Sequence, residues 1–303
     1  MRFKNITSIY LLIFLWVFSS TSFAESSVWK ISKGSNYFYL GGTVHLLDSS
    51  DHPLPEEFST AYNDSDKLIF ETDISGSKTQ ESQQKFLYAM LYKSQKTLKD
   101  DLSVETYQNL SKFLTSRNIP IENLMQFKPW AVAVTIAVLE YQRLGMMPEH
   151  GVEEHFNRLA SSDNKQLGSL ESLDEQISFI SSMGNIEPNL MVNYTLRDLK
   201  TLPEFIQFLK KSWRTGDIEA FTSNSVIAQM KSEFPDLYHT LLTKRNNNWM
   251  SDLITLNDNN ITEFVLVGAL HLSGKEGLLN QLKAAGYKAE QVSQKSVPEN
   301  NIL

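Results

Sequence analysis

The chain has 303 residues, with 28 Lys+Arg against 35 Asp+Glu and a formal net charge of −7. An acidic balance of this size argues against a basic nucleic-acid groove. The absence of Cys removes disulfides, thiolate metal sites and cysteine nucleophiles. A metal here has to be held by His, Asp, Glu or other oxygen and nitrogen donors.

Arg2 and Lys4 make a short basic start, Ile9 to Phe18 is an apolar run broken by Tyr10, and Ser22-Phe23-Ala24 supplies a small-x-small site. These are the parts of a signal peptide, so cleavage after Ala24 and a periplasmic or secreted location are expected. The run falls short of the about 20 apolar residues of a membrane helix, and no stable membrane insertion is expected after cleavage. Without residues 1–24, 26 Lys+Arg face 35 Asp+Glu, and the formal charge becomes −9. The remainder is long enough for a substantial core.

Val28 to Ser32 and Asn36 to Val44 read as the strands of a hairpin around Lys33-Gly34-Ser35-Asn36. A short helix follows at Pro55 to Asn63. Lys67 to Glu71 is then an apolar strand ending in a carboxylate. Residues from about 80 to 160 read as a helical insertion, with Ser103 as an N-cap. Pro129 opens a helix through Trp130 to Leu139 that is apolar almost all round and is expected to be buried. Gln166 to Glu171 is a third strand that ends in a carboxylate. Helices are predicted at Leu173 to Ser182, Pro188 to Lys200, Leu202 to Thr215, Asp217 to Met230 and Asp236 to Leu256. Ile261 to His271 is the fourth strand of this kind. Helix Gly277 to Ala285, strand Lys288 to Val292 and a flexible tail over 294–303 complete the chain. The fold class read from this pattern is α+β. Small central β-sheets have strands ending in His or Glu, many helices surround them, and one domain covers 25–293.

Four apolar strands thus end in ionisable residues: His45, Glu71, Glu171 and His271. In sheets with helical connections, ligands gather at the carboxyl ends of the strands. Two neutral imidazoles with one or two carboxylates form an oxygen/nitrogen site for Mn²⁺, Fe²⁺, Co²⁺ or Zn²⁺. Such a site polarises a carbonyl and acidifies a bound water, which suits hydrolysis. Gly42 and Gly268, each three residues before a His, would let the backbone pass close to a ligand or a neighbouring strand. The residues alone leave open that both are ordinary strand-end histidines.

Other positions carry less. His150 and His155 are five apart with Gly151 between them, whereas a zinc-protease helix needs His at i and i+4, so they read as a solvated helix start. His52 and His239 read as surface residues. Glu171 is either a general base or the N-terminal charge of the next helix. Arg245, followed by Asn246, is placed to clamp a substrate carboxylate or to orient Glu71 or Glu171. No Gly-x-Ser-x-Gly elbow and no phosphate-binding glycine loop occurs.

A set of ordered motifs then carries a resemblance. Tyr39-Leu40-Gly41-Gly42-Thr43-Val44-His45-Leu46-Leu47, Pro53-Leu54-Pro55 and Leu68-Ile69-Phe70-Glu71-Thr72 resemble the opening of the TraB/GumN family. Lys128-Pro129-Trp130-Ala131, Gly151-Val152-Glu153, Leu170-Glu171-Ser172 with Gln176, and Arg245-Asn246 through Trp249 resemble its middle. Val267-Gly268-Ala269-Leu270-His271-Leu272 with Gly274, Gly277-Leu278-Leu279 and Gly286-Tyr287 resemble its end. Glu153 departs from the pattern, which more often has Asp there, and is left out of the site. The resemblance implies a fold shared with ChaN-like haem-binding proteins and erythromycin-esterase-like enzymes. It also implies kinship with the Tiki metalloproteases, which use paired Gly-x-x-His motifs.

By that resemblance His45, His271 and Glu71 are the expected ligands of a divalent Mn, Co or Zn ion, with Glu71, Glu171 and Arg245 as catalytic groups. Arg245 and Asn246 are expected to bind substrate. The leading expectation is an exported metal-dependent hydrolase, a peptidase, acting on a peptide or small-molecule substrate. The alternatives are a haem or peptide carrier, and an accessory factor for surface polysaccharide or conjugation signalling. Fold likeness by itself transfers no reaction.

Overall fold

The computed structural model describes residues 25–293. The signal peptide and the tail read from the sequence lie outside the described residues. Among the described residues, no helix is long and apolar enough to cross a membrane.

The β-structure gathers in one mixed sheet of six strands. They are β1 (Glu25–Lys33), β2 (Asn36–Thr43), β3 (Lys67–Phe70), β4 (Gln166–Ser169), β5 (Glu263–Gly268) and β6 (Lys288–Ser293). Their spatial order is β4-β3-β5-β2-β1-β6. β1 is antiparallel to both β2 and β6, while β2, β5, β3 and β4 run parallel to one another. Parallel neighbours need crossover connections, and helices supply them here. The last of the four parallel strands to form in sequence, β5, inserts between the first two.

That insertion explains the run Phe264-Val265-Leu266-Val267, all fully buried. A central parallel strand is covered on both faces, so it reads as continuous hydrocarbon. β4 at the edge has alternate needs, and Leu167 is left 41% exposed. The main core packs Phe58, Phe156, Trp213 and Trp249 against the sheet. A second core joins Leu110, Leu114 and Ile136 of the helical insertion to Val192 of the helix Pro188–Asp198.

Three sequence expectations change. The helix Pro129–Arg143 is not buried all round: Trp130, Ala131, Val132 and Ile136 face inward, but Val138 and Leu139 are 38% and 36% exposed. It forms an outer layer, so only one stripe finds partners. The helix expected over Asp217 to Met230 breaks at Asn224, whose extended backbone lets its side chain cap Val226 N–H at 2.9 Å. The helix expected over Asp236 to Leu256 holds a π-helical segment, His239–Thr243, between Pro235–Tyr238 and Lys244–Thr255. Such segments widen a helix by one residue per turn and recur at functional sites.

His52, His150 and His155 form a cluster away from the strand ends. The His52 ring centroid lies 5.4 Å from that of His155 and 6.0 Å from that of His150. Burial, helped by nearby His52 and Arg158, lowers the pKa of His155. The folded protein therefore binds this proton less well than the unfolded chain. The stability involved is present above the unfolded pKa of about 6.5 and lost as pH falls through the lower folded value. Thermal denaturation followed by circular dichroism should show Tm falling from pH 7 to pH 5. His155→Gln should flatten that slope, and an unchanged slope would remove His155 as its source.

Candidate functional site

The four parallel strands end on the same edge of the sheet. In spatial order those ends carry Glu171, Glu71, His271 and His45. The ladder continues past β3 and β4, because Leu170 N–H donates to Phe70 O at 3.0 Å and Glu171 N–H to Glu71 O at 2.9 Å. Two carboxylates are thereby set side by side on neighbouring strands. His271 lies in a 3₁₀ turn, Ala269–His271, just after β5.

Arg245 closes the gap between the carboxylates. Its Nε donates to Glu171 Oε2 at 3.0 Å, and its Nη2 donates to Glu171 Oε1 at 2.7 Å and Glu71 Oε2 at 2.5 Å. Nη1 donates to Leu241 O at 3.3 Å and lies 3.2 Å from His271 Nε2. A guanidinium has five N–H groups, and all five are occupied. Leu241 belongs to the π-helical segment, so the arginine covers a carbonyl where the helical ladder is irregular. Trp249 Nε1 donates to Glu171 Oε2 at 3.2 Å, and its ring centroid lies 4.7 Å from the guanidinium. The side chains of Arg245, Glu71 and Glu171 are 10%, 9% and 3% exposed.

The two imidazoles are each held from behind. Asn246 Nδ2 donates to His271 O at 3.1 Å and Glu276 O at 2.9 Å, which leaves Oδ1 facing His271 Nδ1 at 2.6 Å. This network assigns the proton of neutral His271 to Nδ1 and a lone pair to Nε2. Burial, with the Arg245 and His45 charges, outweighs Glu71 and pushes the His271 pKa down to about 3. His45 Nδ1 is 2.6 Å from Glu153 Oε1, which also takes the Thr43 hydroxyl proton. Glu153 raises the His45 pKa against the opposing effect of burial. The ring is 64% exposed, so water screens that attraction.

With both Nδ1 atoms engaged, His45 Nε2 and the Cδ2 edge of His271 border one small cradle over Gly268. A Cβ placed on Gly268 would sit 3.3 Å from Glu71 Oε1, 3.5 Å from His45 Nε2 and 3.7 Å from His271 Cδ2. Glu71 Oε1 accepts the Gly268 N–H at 2.6 Å and lies 3.8 Å from His271 Nε2. Burial works against ionisation of Glu71, but the Arg245 guanidinium, the nearby His45 and the Gly268 N–H hold its pKa low, at about 2. Burial and the Glu71 charge raise the pKa of Glu171 against the opposing Arg245. Gly42 serves packing instead: its Cβ would come 2.8 Å from Leu272 Cδ1.

Two imidazoles and a carboxylate are donors of the kind that hold divalent cations, but His271 Nε2 already faces the Arg245 Nη1 N–H at 3.2 Å. Their spacing is looser than coordination requires. Among the described residues, no three His, Asp or Glu side chains stand close enough together to hold one ion. Arg245 already neutralises one carboxylate charge.

Three sequence assignments change with this geometry. Asn246 is 2% exposed and spends its amide on His271 and Glu276, so it positions His271 and does not reach substrate. Arg245 has no free N–H for a substrate carboxylate or a developing charge. Glu171 has its oxygens taken by Arg245 and Trp249 and lines neither cavity described below, so it anchors Arg245 and is no base for a substrate. Glu153 gains a place that the sequence reading denied it. Its signal was present in Gly151-Val152-Glu153, where Val152 N–H donates to Val44 O at 3.2 Å and docks the helix start beside His45.

Two cavities share His45 as a wall. One of about 190 Å³ is lined by Glu71, Thr72, Glu153, Glu154 and Gln176, among others. The other, about 390 Å³, is bounded by His45, Arg245, Gly268 and His271 on one side and elsewhere mainly by leucines with Phe221 and Tyr141.

The family profile of TraB/PrgY/gumN proteins matches residues 27–291, a span that contains all four strand ends. The chain belongs to the TraB/PrgY/gumN family. Among TraB/PrgY/gumN-like relatives, it is 26% identical over 251 residues to YbaP of Escherichia coli (strain K12), covering 82% of this chain and 89% of that protein. YbaP of Shigella flexneri is similar to the same degree, and both are described as uncharacterized. No solved structure matches the chain.

Gly268 allows a direct test of the cradle in this TraB/PrgY/gumN protein. Gly268→Ala puts a methyl group between Glu71 Oε1 and His45 Nε2 at tight but tolerable distances, with no backbone strain. The expected result is weakened retention of divalent metal, measured by plasma emission after dialysis, with Tm nearly unchanged. Retention equal to wild type would mean that the cradle is not where a cation sits.

Proposed function

We propose that this protein is an exported metal-dependent hydrolase that cuts peptide bonds. The observation that supports this reading is the paired orientation of His45 and His271. Each has Nδ1 engaged by an outer oxygen; His271 Nε2 lies 3.8 Å from Glu71 Oε1, and His45 Nε2 and Glu71 Oε1 both border the space over Gly268. Such outer partners fix the tautomer and orientation of metal-binding imidazoles. His45, His271 and Glu71 would hold the ion. A bound Mn²⁺, Co²⁺ or Zn²⁺ supplies a Lewis acid for the scissile carbonyl and an acidified water.

Arg245 and Trp249 keep Glu71 and Glu171 fixed, which preorganises the first without spending it on substrate. Asn246 and Glu153 keep the lone pairs aimed. Water adds across the C–N bond, giving a carboxylate and an amine, within reach of both cavities.

The haem-carrier reading has less support, because haem carboxylates need free cations and the one arginine lining the larger cavity is fully engaged. A saccharide would need several free polar partners, which the leucine walls do not offer.

The test is cleavage of a peptide library with added Mn²⁺, Co²⁺ or Zn²⁺, using the His45→Ala/His271→Ala double variant as the control. Metal-dependent cleavage by the wild type and none by the variant is expected. Cleavage that survives both substitutions would place the chemistry elsewhere.

A further inference from the structure

The larger cavity has one wall made of the candidate site and the others made of hydrocarbon. Leu46, Leu209, Phe221, Leu241, Leu242 and Leu270 supply the apolar walls. They come from separate segments: the end of β2, the helix Leu202–Arg214, the short helix Glu219–Ser223, the π-helical segment and the turn after β5. An apolar lining assembled from so many elements is not the leftover face of one helix. At about 390 Å³ the cavity falls at the small end of the range for ligand sites, suited to one or two side chains.

Its polar groups narrow the occupant further. Arg245 lines it, but its Nε and Nη2 N–H groups are held by Glu171 and Glu71 and one Nη1 N–H by Leu241 O, so its charge is already neutralised. A charged side chain entering here would lose water and gain no partner, which is costly. Two hydroxyls line the cavity. That of Thr43 is given to Glu153. That of Tyr141 has no hydrogen-bond partner among the described residues, and burial pushes its pKa up to about 12, so it keeps its proton.

Resting on the hydrolase reading, we infer that this cavity is the pocket for the residue beside the bond that is cut, and that it selects a large apolar side chain of leucine or phenylalanine size. Tyr141, whose hydroxyl has no partner among the described residues, donates to a backbone carbonyl of the bound peptide. The polar cavity across His45 gives the rest of the peptide its path out.

Two measurements separate this inference from the reaction itself. The first is kcat/KM for peptides that differ at one position only, carrying Phe, Leu, Ala or Asp there. Phe and Leu should exceed Ala by at least the about 10–200-fold that one methylene is worth in an apolar pocket, with Asp lowest. The second needs no turnover: calorimetric binding of N-acetyl-Phe-amide and N-acetyl-Asp-amide to metal-free protein. The Phe amide should bind and the Asp amide should not. Leu209→Trp should shift preference toward Ala, and Tyr141→Phe should weaken Phe-amide binding by about tenfold or less, the worth of one hydrogen bond. If nothing is cut but the Phe amide binds and Leu209→Trp blocks it, the pocket stands and the hydrolase reading falls. If peptides are cut with no preference, the pocket falls and the hydrolase reading stands. Equal binding of both amides, or of neither, overturns the inference.

Discussion

Arg245→Ala is expected to destabilise the protein by about 3–5 kcal/mol, the usual cost of leaving a buried charge without its partner. The loss is large because two carboxylates are stranded at once, Glu71 and Glu171, both under 10% exposed. Trp249 and Gly268 would still donate to them, but neither brings a charge. Urea unfolding at pH 7 measures the effect, and a loss below about 1 kcal/mol would contradict this account of the cluster. The pH dependence gives a second handle. The folded pKa of Glu71 is held low in the wild type, so its contribution is present above the unfolded value of about 4.3 and lost as pH falls toward about 2. Without Arg245 the carboxylates take up protons more easily. The gap between wild type and variant should therefore narrow as pH falls from the variant's higher folded pKa toward the wild-type value of about 2. Adding Glu71→Gln and Glu171→Gln to Arg245→Ala should recover part of the lost stability at neutral pH.

The second large effect concerns the metal proposal. His271→Ala and His45→Ala are each expected to lose more metal affinity than variants of the residues behind them. Asn246→Ala and Glu153→Gln should fall within the about 10–100-fold loss that outer partners cause. His271→Ala should be the more damaging of the histidine changes, because His271 is 4% exposed and its Nε2 is 3.8 Å from Glu71 Oε1. His45 is mostly exposed and can be replaced by water. Titration with Mn²⁺ or Zn²⁺, read by calorimetry on proteins with matched circular dichroism spectra, gives the ranking. If the Asn246 and Glu153 variants lose as much as the histidine variants, these four residues act by holding the fold and not by ordering ligands.

The α+β class and the four strand ends were legible because their signals are local. An apolar run bounded by glycine or a carboxylate marks a buried strand, as at Phe264 to Gly268. Pro129 and Ser103 mark helix starts through the same short-range chemistry of caps and fixed φ. The breaks were less legible. Asn224 and the π-helical segment interrupt sequences whose apolar spacing continues through them, so periodicity alone passes over both. The roles within the site were read least well. The sequence allows Arg245 either to clamp a substrate or to orient Glu71 and Glu171, and only its contacts select the second; the residue type at Glu153 conceals its contact with His45.

By itself, then, the sequence determined the kind of chemistry available: no thiols, two histidines and two glutamates each ending an apolar strand, and an acidic surface. Only the tertiary structure decided how those residues are used. Placing β5 between β3 and β2 sets His271 between Glu71 and His45, and no local pattern encodes that lateral order. Arg245 meets Glu71 and Glu171 across 174 and 74 residues of chain. Whether a donor is free or saturated depends on partners that distant, because a hydrogen bond is settled by position in space and not by spacing along the chain.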